Sequence, residues 1–335
     1  MNKKIITGVL VLAVLGGIVV FSQHGNVLKT QRPKTIEKIT IAWADQTSFA
    51  LMYIAQNKDY FTDEGLDVTY RKFTTGRDAL ADVINGNSDI ATVYEAPVVR
   101  QLYQGKDISI ISTLHTSSKN AALIGRRDKN ITRIEDIKNK KIGVAKGTAE
   151  EFFLYSYLTS QGIQLSDVTL INGEFKDMLS MLRDGKADAV VATNPYFYEI
   201  KKQFSPDEII IFQSDVYTEN SLLVGNTNKI KNKKETFTRL LKALVRAENL
   251  LHNNQAEAIK VVVDSLPTFS EESIRATWDQ LTPELVLNNV LLTLLEREAT
   301  WFKDNNLYTG QIPDFRKAIF ADYLKAVKPE VVTIY

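Results

Sequence analysis

Lys38-Ile39-Thr40-Ile41-Ala42-Trp43 and Lys141-Ile142-Gly143-Val144-Ala145 are two short apolar runs, and each opens the same series of features. Both have the length and composition of a β-strand. Small polar residues follow, Asp45-Gln46-Thr47-Ser48 in one and Gly147-Thr148-Ala149-Glu150 in the other, of the types that start helices. Helical stretches come next, over 49–61 and 152–160, and end near Gly65 and Gly162. Asp67-Val68-Thr69 and Asp167-Val168-Thr169 then open a second strand in each series. Thr74-Thr75-Gly76 and Asn172-Gly173-Glu174 begin a second helix, and Leu80, Gly86 and Asp89 keep the spacing of Leu179, Gly185 and Asp188. The two glycines stand where a helix C-terminus calls for a left-handed residue. Third strands over 89–93 and 188–192 run into Glu95-Ala96-Pro97 and Asn194-Pro195.

The chain therefore carries two β-α-β-α-β units, too few and too long for a solenoid. Alternating strands and helices predict an α/β fold of two lobes, each a mainly parallel sheet flanked by helices. Right-handed crossovers gather strand ends and helix starts on one edge of each sheet, where ligands of open α/β sheets bind. Two lobes facing each other make a cleft with two walls; the competing arrangement is one continuous sheet. The expected division assigns 38–121 plus 225–335 to lobe one and 122–224 to lobe two. Strands near Ala121–Ile124 and Leu222–Val224 are expected to cross between the lobes as a hinge. Beyond them, Phe237, Leu240, Leu241, Leu244, Ala247, Leu250 and Leu251 have helical spacing. Stretches 256–265, 271–280 and 290–304 read similarly, and this tail is expected to pack on lobe one.

A chain of 335 residues suits about two domains. Its 41 basic and 40 acidic residues leave a net charge of +1, which gives no support for a nucleic-acid partner. The absence of cysteine excludes disulfides, thiolate metal sites, a Cys nucleophile and lipid attachment through Cys. Residues 1–22 join a basic start, Met1-Asn2-Lys3-Lys4, to an uncharged apolar run from Ile5 to Phe21, the layout of a secretory signal. Cleavage before Gln23 and retention as a membrane anchor are both open, and either puts the rest outside the cytoplasm. Residues 23–37 read as a tether.

The run from Ile39 to Val68 resembles the opening of the periplasmic substrate-binding proteins for sulfonate, taurine, nitrate and thiamine precursors. The residues that carry the likeness are Tyr53-Ile54-Ala55 and Phe61-Thr62-Asp63-Glu64-Gly65-Leu66-Asp67-Val68. Asp136-Ile137-Lys138-Asn139-Lys140-Lys141 with Gly147-Thr148 is similar to that family's start of lobe two, with Asn139 where a glycine is usual. Gly185 to Ala189 and Pro195 complete the match. The resemblance implies a type II periplasmic-binding-protein fold, a Venus flytrap that closes on a small solute and delivers it to the permease of an ABC transporter in the inner membrane. It implies a periplasmic monomer with no cofactor.

Loops at the predicted sheet edges nominate Trp43, Asp45, Gln46, Thr47, Thr75, Gly76, Tyr94, Glu95 and His115 in lobe one. Gly147, Thr148, Ala149, Glu150, Asn194 and Tyr196 are their counterparts in lobe two. Thr47, Thr75, Gly76, Gly147 and Thr148 lie at helix starts, where free amides and the helix dipole attract an acidic head group; ordinary capping explains them equally well. Asp45, Glu95 and Glu150 would repel a bare anion and favour a ligand with an ammonium or several N–H donors. Trp43, Tyr94 and Tyr196 would offer flat faces. The ligand expected is thus an amine zwitterion or a pyrimidine-type heteroaromatic.

His24, His115 and His252 stand far apart, so a metal site is not expected. No nucleotide-binding or nucleophile-elbow motif occurs. Lys229 to Lys234 reads as a solvated loop or helix start. Two other readings remain open on the same fold. One is an extracytoplasmic sensor for a membrane receptor. The other is a biosynthetic enzyme, which the missing Cys-rich motif of the pyrimidine-making relatives and the export signal argue against.

Overall fold

The computed structural model describes residues 35–334. The expected leader over 1–22 lies outside them. Of the expected tether, Glu37 already pairs in the first strand.

The first series forms β1 (Glu37–Ala44), α1 (Ala50–Asn57), α2 (Tyr60–Asp63), β2 (Leu66–Phe73), α3 (Gly76–Ile84), β3 (Ile90–Tyr94), α4 (Glu95–Tyr103) and β4 (Ile108–Ser117). After a crossing comes β5 (Ala121–Arg126). The second series is β6 (Lys141–Val144), α5 (Ala149–Ser160), β7 (Thr169–Asn172), α6 (Met178–Arg183), β8 (Ala189–Thr193), α7 (Tyr196–Gln203) and β9 (Ile209–Phe212). The chain then returns through β10 (Glu219–Asn226), α8 (Thr227–Asn232), α9 (Lys234–Asn253), α10 (Gln255–Ser265), α11 (Glu271–Thr277), β11 (Thr282–Val286), α12 (Asn289–Asp304) and α13 (Asp322–Val327).

Among the described residues there are two sheets, ordered β11-β4-β10-β3-β1-β2 and β7-β6-β8-β5-β9. The duplication is visible in them. β1 pairs in parallel with β2 and β3, as β6 does with β7 and β8. β10 lies antiparallel to β3 and β5 antiparallel to β8. Each sheet thus takes its antiparallel strand from the chain that has just crossed over.

This topology corrects two expectations. Residues 219–224 belong to the first sheet, so the return crossing lies at 213–218, not at the expected boundary after 224. The outward crossing is 118–120, because β5 is already a full member of the second sheet. The expected hinge strands, Ala121–Ile124 and Leu222–Val224, are therefore interior sheet strands held on both sides. The alignment of the copies also shifts by two residues: Ile41 pairs with Ile90 as Ile142 pairs with Ala189. A shift of two preserves which side chains face the core.

The repeated Gly-x-x-Asp has a physical explanation. Gly86 and Gly185 end α3 and α6 with φ of +83° and +70°. The aspartate carboxylate three residues on accepts the backbone N–H of the neighbouring strand, Asp89 from Thr40 and Asp188 from Lys141, both at 2.9 Å. Phe237, Leu240, Leu241, Leu244, Ala247 and Leu251 line the buried face of α9, which packs on α1 and β1 of lobe one. No helix among the described residues is long and apolar enough to cross a membrane.

Gly76 serves packing. A methyl group built there would come within 2.8 Å of Val93 Cα and 3.1 Å of the Thr92 carbonyl oxygen. Those are backbone atoms of β3 and cannot step aside. We expect Gly76→Ala to cost about 1–3 kcal/mol of stability, read by chemical denaturation.

Candidate functional site

The loops between the lobes bring together a buried polar cluster. Glu219, at the start of β10, is its centre. Its Oε1 accepts from Asn120 Nδ2 at 2.6 Å and from the Tyr94 hydroxyl at 3.3 Å. Asn120 stands in the outward crossing and also donates to Thr193 Oγ1 of lobe two at 2.6 Å. His115 lies behind, with Nε2 3.7 Å from Glu219 Oε1. Its Nδ1 accepts the Thr282 N–H at 3.2 Å, so the neutral ring carries its proton on Nε2, facing the carboxyl. Burial holds the ring neutral by lowering its pKa to about 3.

Glu150 faces this group from the start of α5. It is buried, and neither carboxyl oxygen has a partner within the protein. Burial first, and then the charge of Glu219, raises its pKa to about 7; burial raises that of Glu219 to about 8. Gln46, also buried, has both amide atoms unpartnered, as are Ser48 Oγ and Asn194 Oδ1. Such groups cost roughly 1–3 kcal/mol each when left unsatisfied, so their gathering in one place makes this the candidate ligand site. Gln46, Gly76, Tyr94, Thr148, Ala149 and Glu150 line a small cavity of about 10 Å³ between the closed lobes, with Arg77 and Phe175 beside them. Among the described residues no group of acids and histidines is placed to hold a metal ion.

Other nominated residues are engaged elsewhere. Trp43 is fully buried in lobe one against Tyr53 and Tyr70, with the Lys72 ammonium 3.8 Å from its ring centre. Asp45 is half exposed and paired with Lys72 at 2.8 Å. Thr75 caps α3, accepting from the Asp78 N–H at 3.2 Å and donating to the Asp78 carboxylate at 2.8 Å. The Thr148 hydroxyl donates to the Ala145 carbonyl at 2.7 Å, and the Gly147 N–H donates to the Glu151 carboxylate at 2.8 Å. Thr47 is buried in the short turn before α1. Glu95 is buried at the start of α4 and accepts the Asn220 N–H at 2.6 Å; burial and then Glu298 push its pKa well up. Asn194, before a cis proline, donates to Gln280 at 2.9 Å, and Tyr196 packs edge-on against Phe269.

Glu219, Asn120 and Gln280 were not among the nominated residues. A signal for two of them exists: each is polar and sits where a strand begins after a crossing, Asn120 just before β5 and Glu219 as the first residue of β10, as Glu95 and Asn194 sit just after a strand. Gln280 lies in the helical tail, where nothing in the pattern distinguishes it.

The lobes are closed on each other. Arg77 of lobe one reaches the Lys146 carbonyl and lies 3.5 Å from Glu174 of lobe two. Arg100 holds Glu151 at 2.7 Å, Tyr198 donates to Glu272 at 3.0 Å, and Tyr155 stacks on Trp301. Gly147, at φ +81°, lies under Arg77, with 3.1 Å between a built Cβ and Arg77 Cδ. Gly147→Trp should therefore prop the lobes apart. We expect ligand binding to be lost while the denaturation midpoint of each lobe's fluorescence or CD signal falls only modestly.

Residues 46–258 match the family described as NMT1/THI5 like. The chain belongs to the NMT1/THI5-like family. Its relatives and structural neighbours are for the most part named as solute-binding proteins, among them components of ABC import systems. This NMT1/THI5-like chain is 26% identical over 239 residues to a Haemophilus influenzae protein named for thiamine biosynthesis, covering 69% of the chain and 74% of the relative. It is 24% identical over 207 residues to the formylaminopyrimidine-binding protein of Halalkalibacterium halodurans, covering 56% of the chain and 61% of that relative. Its fold is similar to that of the alkanesulfonate-binding protein SsuA from Xanthomonas axonopodis, with a TM-score of 0.74 and 14% identity over 87% of this chain and 99% of that one.

Proposed function

We propose that this protein captures a small, nitrogen-rich organic solute between its lobes, an amine or an aminopyrimidine-type heteroaromatic, and hands it to the permease of an ABC importer. The observation that carries this reading is two buried carboxyls, Glu150 at the start of α5 and Glu219 at the start of β10, close enough for the charge of Glu219 to act on Glu150, with neither Glu150 oxygen hydrogen-bonded. Two buried carboxyls need donors, and a ligand presenting an ammonium or amino N–H groups supplies them. The Tyr94 ring and the Gln46 amide offer a flat surface and a further donor and acceptor. A free sulfonate or carboxylate fits poorly. Helix-start groups at α3 and α5 that would receive an anion are already bonded to Asp78 and Glu151. The relative named for formylaminopyrimidine binding agrees with this choice.

We read it as a binding protein, as most of its relatives are named; the lack of cysteine argues against the one enzyme reading that needs a Cys-rich motif. It works outside the cytoplasm as a monomer, held there by whichever fate residues 1–22 have. Closure is selected by the ligand, which binds one wall and then receives the other. Titration calorimetry with an aminopyrimidine, an aminomethylpyrimidine, formylaminopyrimidine, taurine and nitrate tests the reading. Binding confined to the nitrogen-bearing solutes supports it; binding of nitrate or simple sulfonates alone overturns it.

A further inference from the structure

Arg100 lies in the last turn of α4 in lobe one, and its guanidinium donates to the Glu151 carboxylate of α5 in lobe two at 2.7 Å. The two side chains are 18% and 6% exposed. Other ion pairs between the lobes are wetter: Arg77 with Glu174 at 31% and 35%, and Lys202 with Glu272 at 47% and 58%. Charge pairs that keep water around them contribute little, whereas a pair shut away from water is costly to break. Among the described ion pairs between the lobes, Arg100 with Glu151 is thus the one best placed to hold them together.

Glu151 is a junction. The oxygen that Arg100 binds also accepts the Gly147 N–H at 2.8 Å, and its other oxygen accepts the Tyr155 hydroxyl. Tyr155 in turn stacks on Trp301 of α12 in lobe one, with ring centres 4.9 Å apart. Gly147 opens the loop whose Thr148, Ala149 and Glu150 line the small cavity. One carboxylate therefore ties that loop to lobe one, by a charge and through a stacked ring. On its own side Arg100 is braced over the Phe302 ring, 4.7 Å from its centre, and its charge acts on the buried Glu298 of α12. The Arg100 Nε, buried and unpartnered, is a donor left for that second carboxyl. When the lobes part, Glu298 stays beside Arg100, so the cation is not stranded as an unpaired buried charge. A contact that must break and re-form needs such a second partner.

We propose that Arg100 and Glu151 form the latch of the closed arrangement, setting from outside the ligand site how much of the protein is closed, whatever the solute is. With the latch broken, closure rests on the more exposed pairs and on the solute, and the open arrangement gains.

The chain holds no cysteine, so spin labels can be attached at Lys231→Cys of lobe one and Glu135→Cys of lobe two, both exposed positions. Pulsed electron resonance then reads the distances between the labels in the solute-free protein. No solute enters the measurement, so its outcome does not depend on what the cleft binds. The labelled parent should show a closed population beside an open one. Arg100→Met and Glu151→Gln should each lower the ratio of closed to open by about fivefold or more, and the two together should lower it no further than either alone. Should Arg100→Met fail to fold, as read by circular dichroism, Arg100→Gln takes its place with the same expected loss. A parent with no closed population, or folded variants whose ratio matches the parent's, overturns the proposal. So does a double variant whose loss is the product of the two single losses, because the side chains then act separately.

Discussion

Replacing Glu219 by Gln weakens binding of an ammonium-bearing solute about 10- to 100-fold and leaves the protein folded. Two physical effects set the size and sign. The carboxylate supplies a charge-assisted acceptor in a site shut off from water, where such a bond contributes about 1.5–3 kcal/mol. The amide keeps the shape and can still accept from Asn120, whose Nδ2 lies 2.6 Å from Oε1. Stability without ligand should hold or rise, because a buried acid that resists ionisation is replaced by a neutral group. Calorimetry for affinity and urea denaturation for stability separate the two. A variant that loses stability and affinity together would show Glu219 to be structural.

The second large effect is in pH. Glu150 and Glu219 have folded-state pKa values raised to about 7 and about 8 from 4.5. Without ligand, both hold protons in the native state over a range where the unfolded chain has released them. Their contribution to stability is complete below pH 4.5 and is lost as pH rises through 7 and 8. The ligand-free protein should therefore melt higher at pH 5 than at pH 8, as far as these two groups decide it. Ligand binding runs the other way. An ammonium stabilises the ionised carboxylates, so binding expels their protons, and affinity falls as pH drops below 7. Each proton expelled costs about tenfold in affinity per pH unit, about 1.4 kcal/mol. Between pH 7 and pH 5 the loss should exceed 100-fold for two such groups. Glu150→Gln should halve that slope.

Much of the fold could be read from the sequence because it is written twice. A single strand-helix-strand series is ambiguous, but the return of Leu, Gly and Asp at the same spacing is not, and its function is now visible in Asp89 and Asp188 clamping the adjacent strand. The lobe boundary at 224 was misplaced for a topological reason. β10 and β5 are apolar runs that look alike wherever they pair, and only the sheet shows that each completes the lobe it has just entered. At the candidate site, Gln46, Tyr94 and Glu150, nominated because helix starts mark the sheet edge, line one small cavity. Side-chain direction was beyond it: Trp43 turns into the core and Asp45 outward to Lys72. The one signal for Glu219 is that it is the polar residue opening the strand after a crossing, and no repeat counterpart marks it.

The direct test of the central claim is the number of protons released when an aminomethylpyrimidine binds at pH 6.5. Calorimetry in two buffers with different heats of ionisation counts them. Release of between one and two protons, falling by about one in Glu150→Gln, is the result the acidic cleft predicts. No release, or proton uptake, would contradict it, because the ligand would then not be held by the buried carboxyls at all.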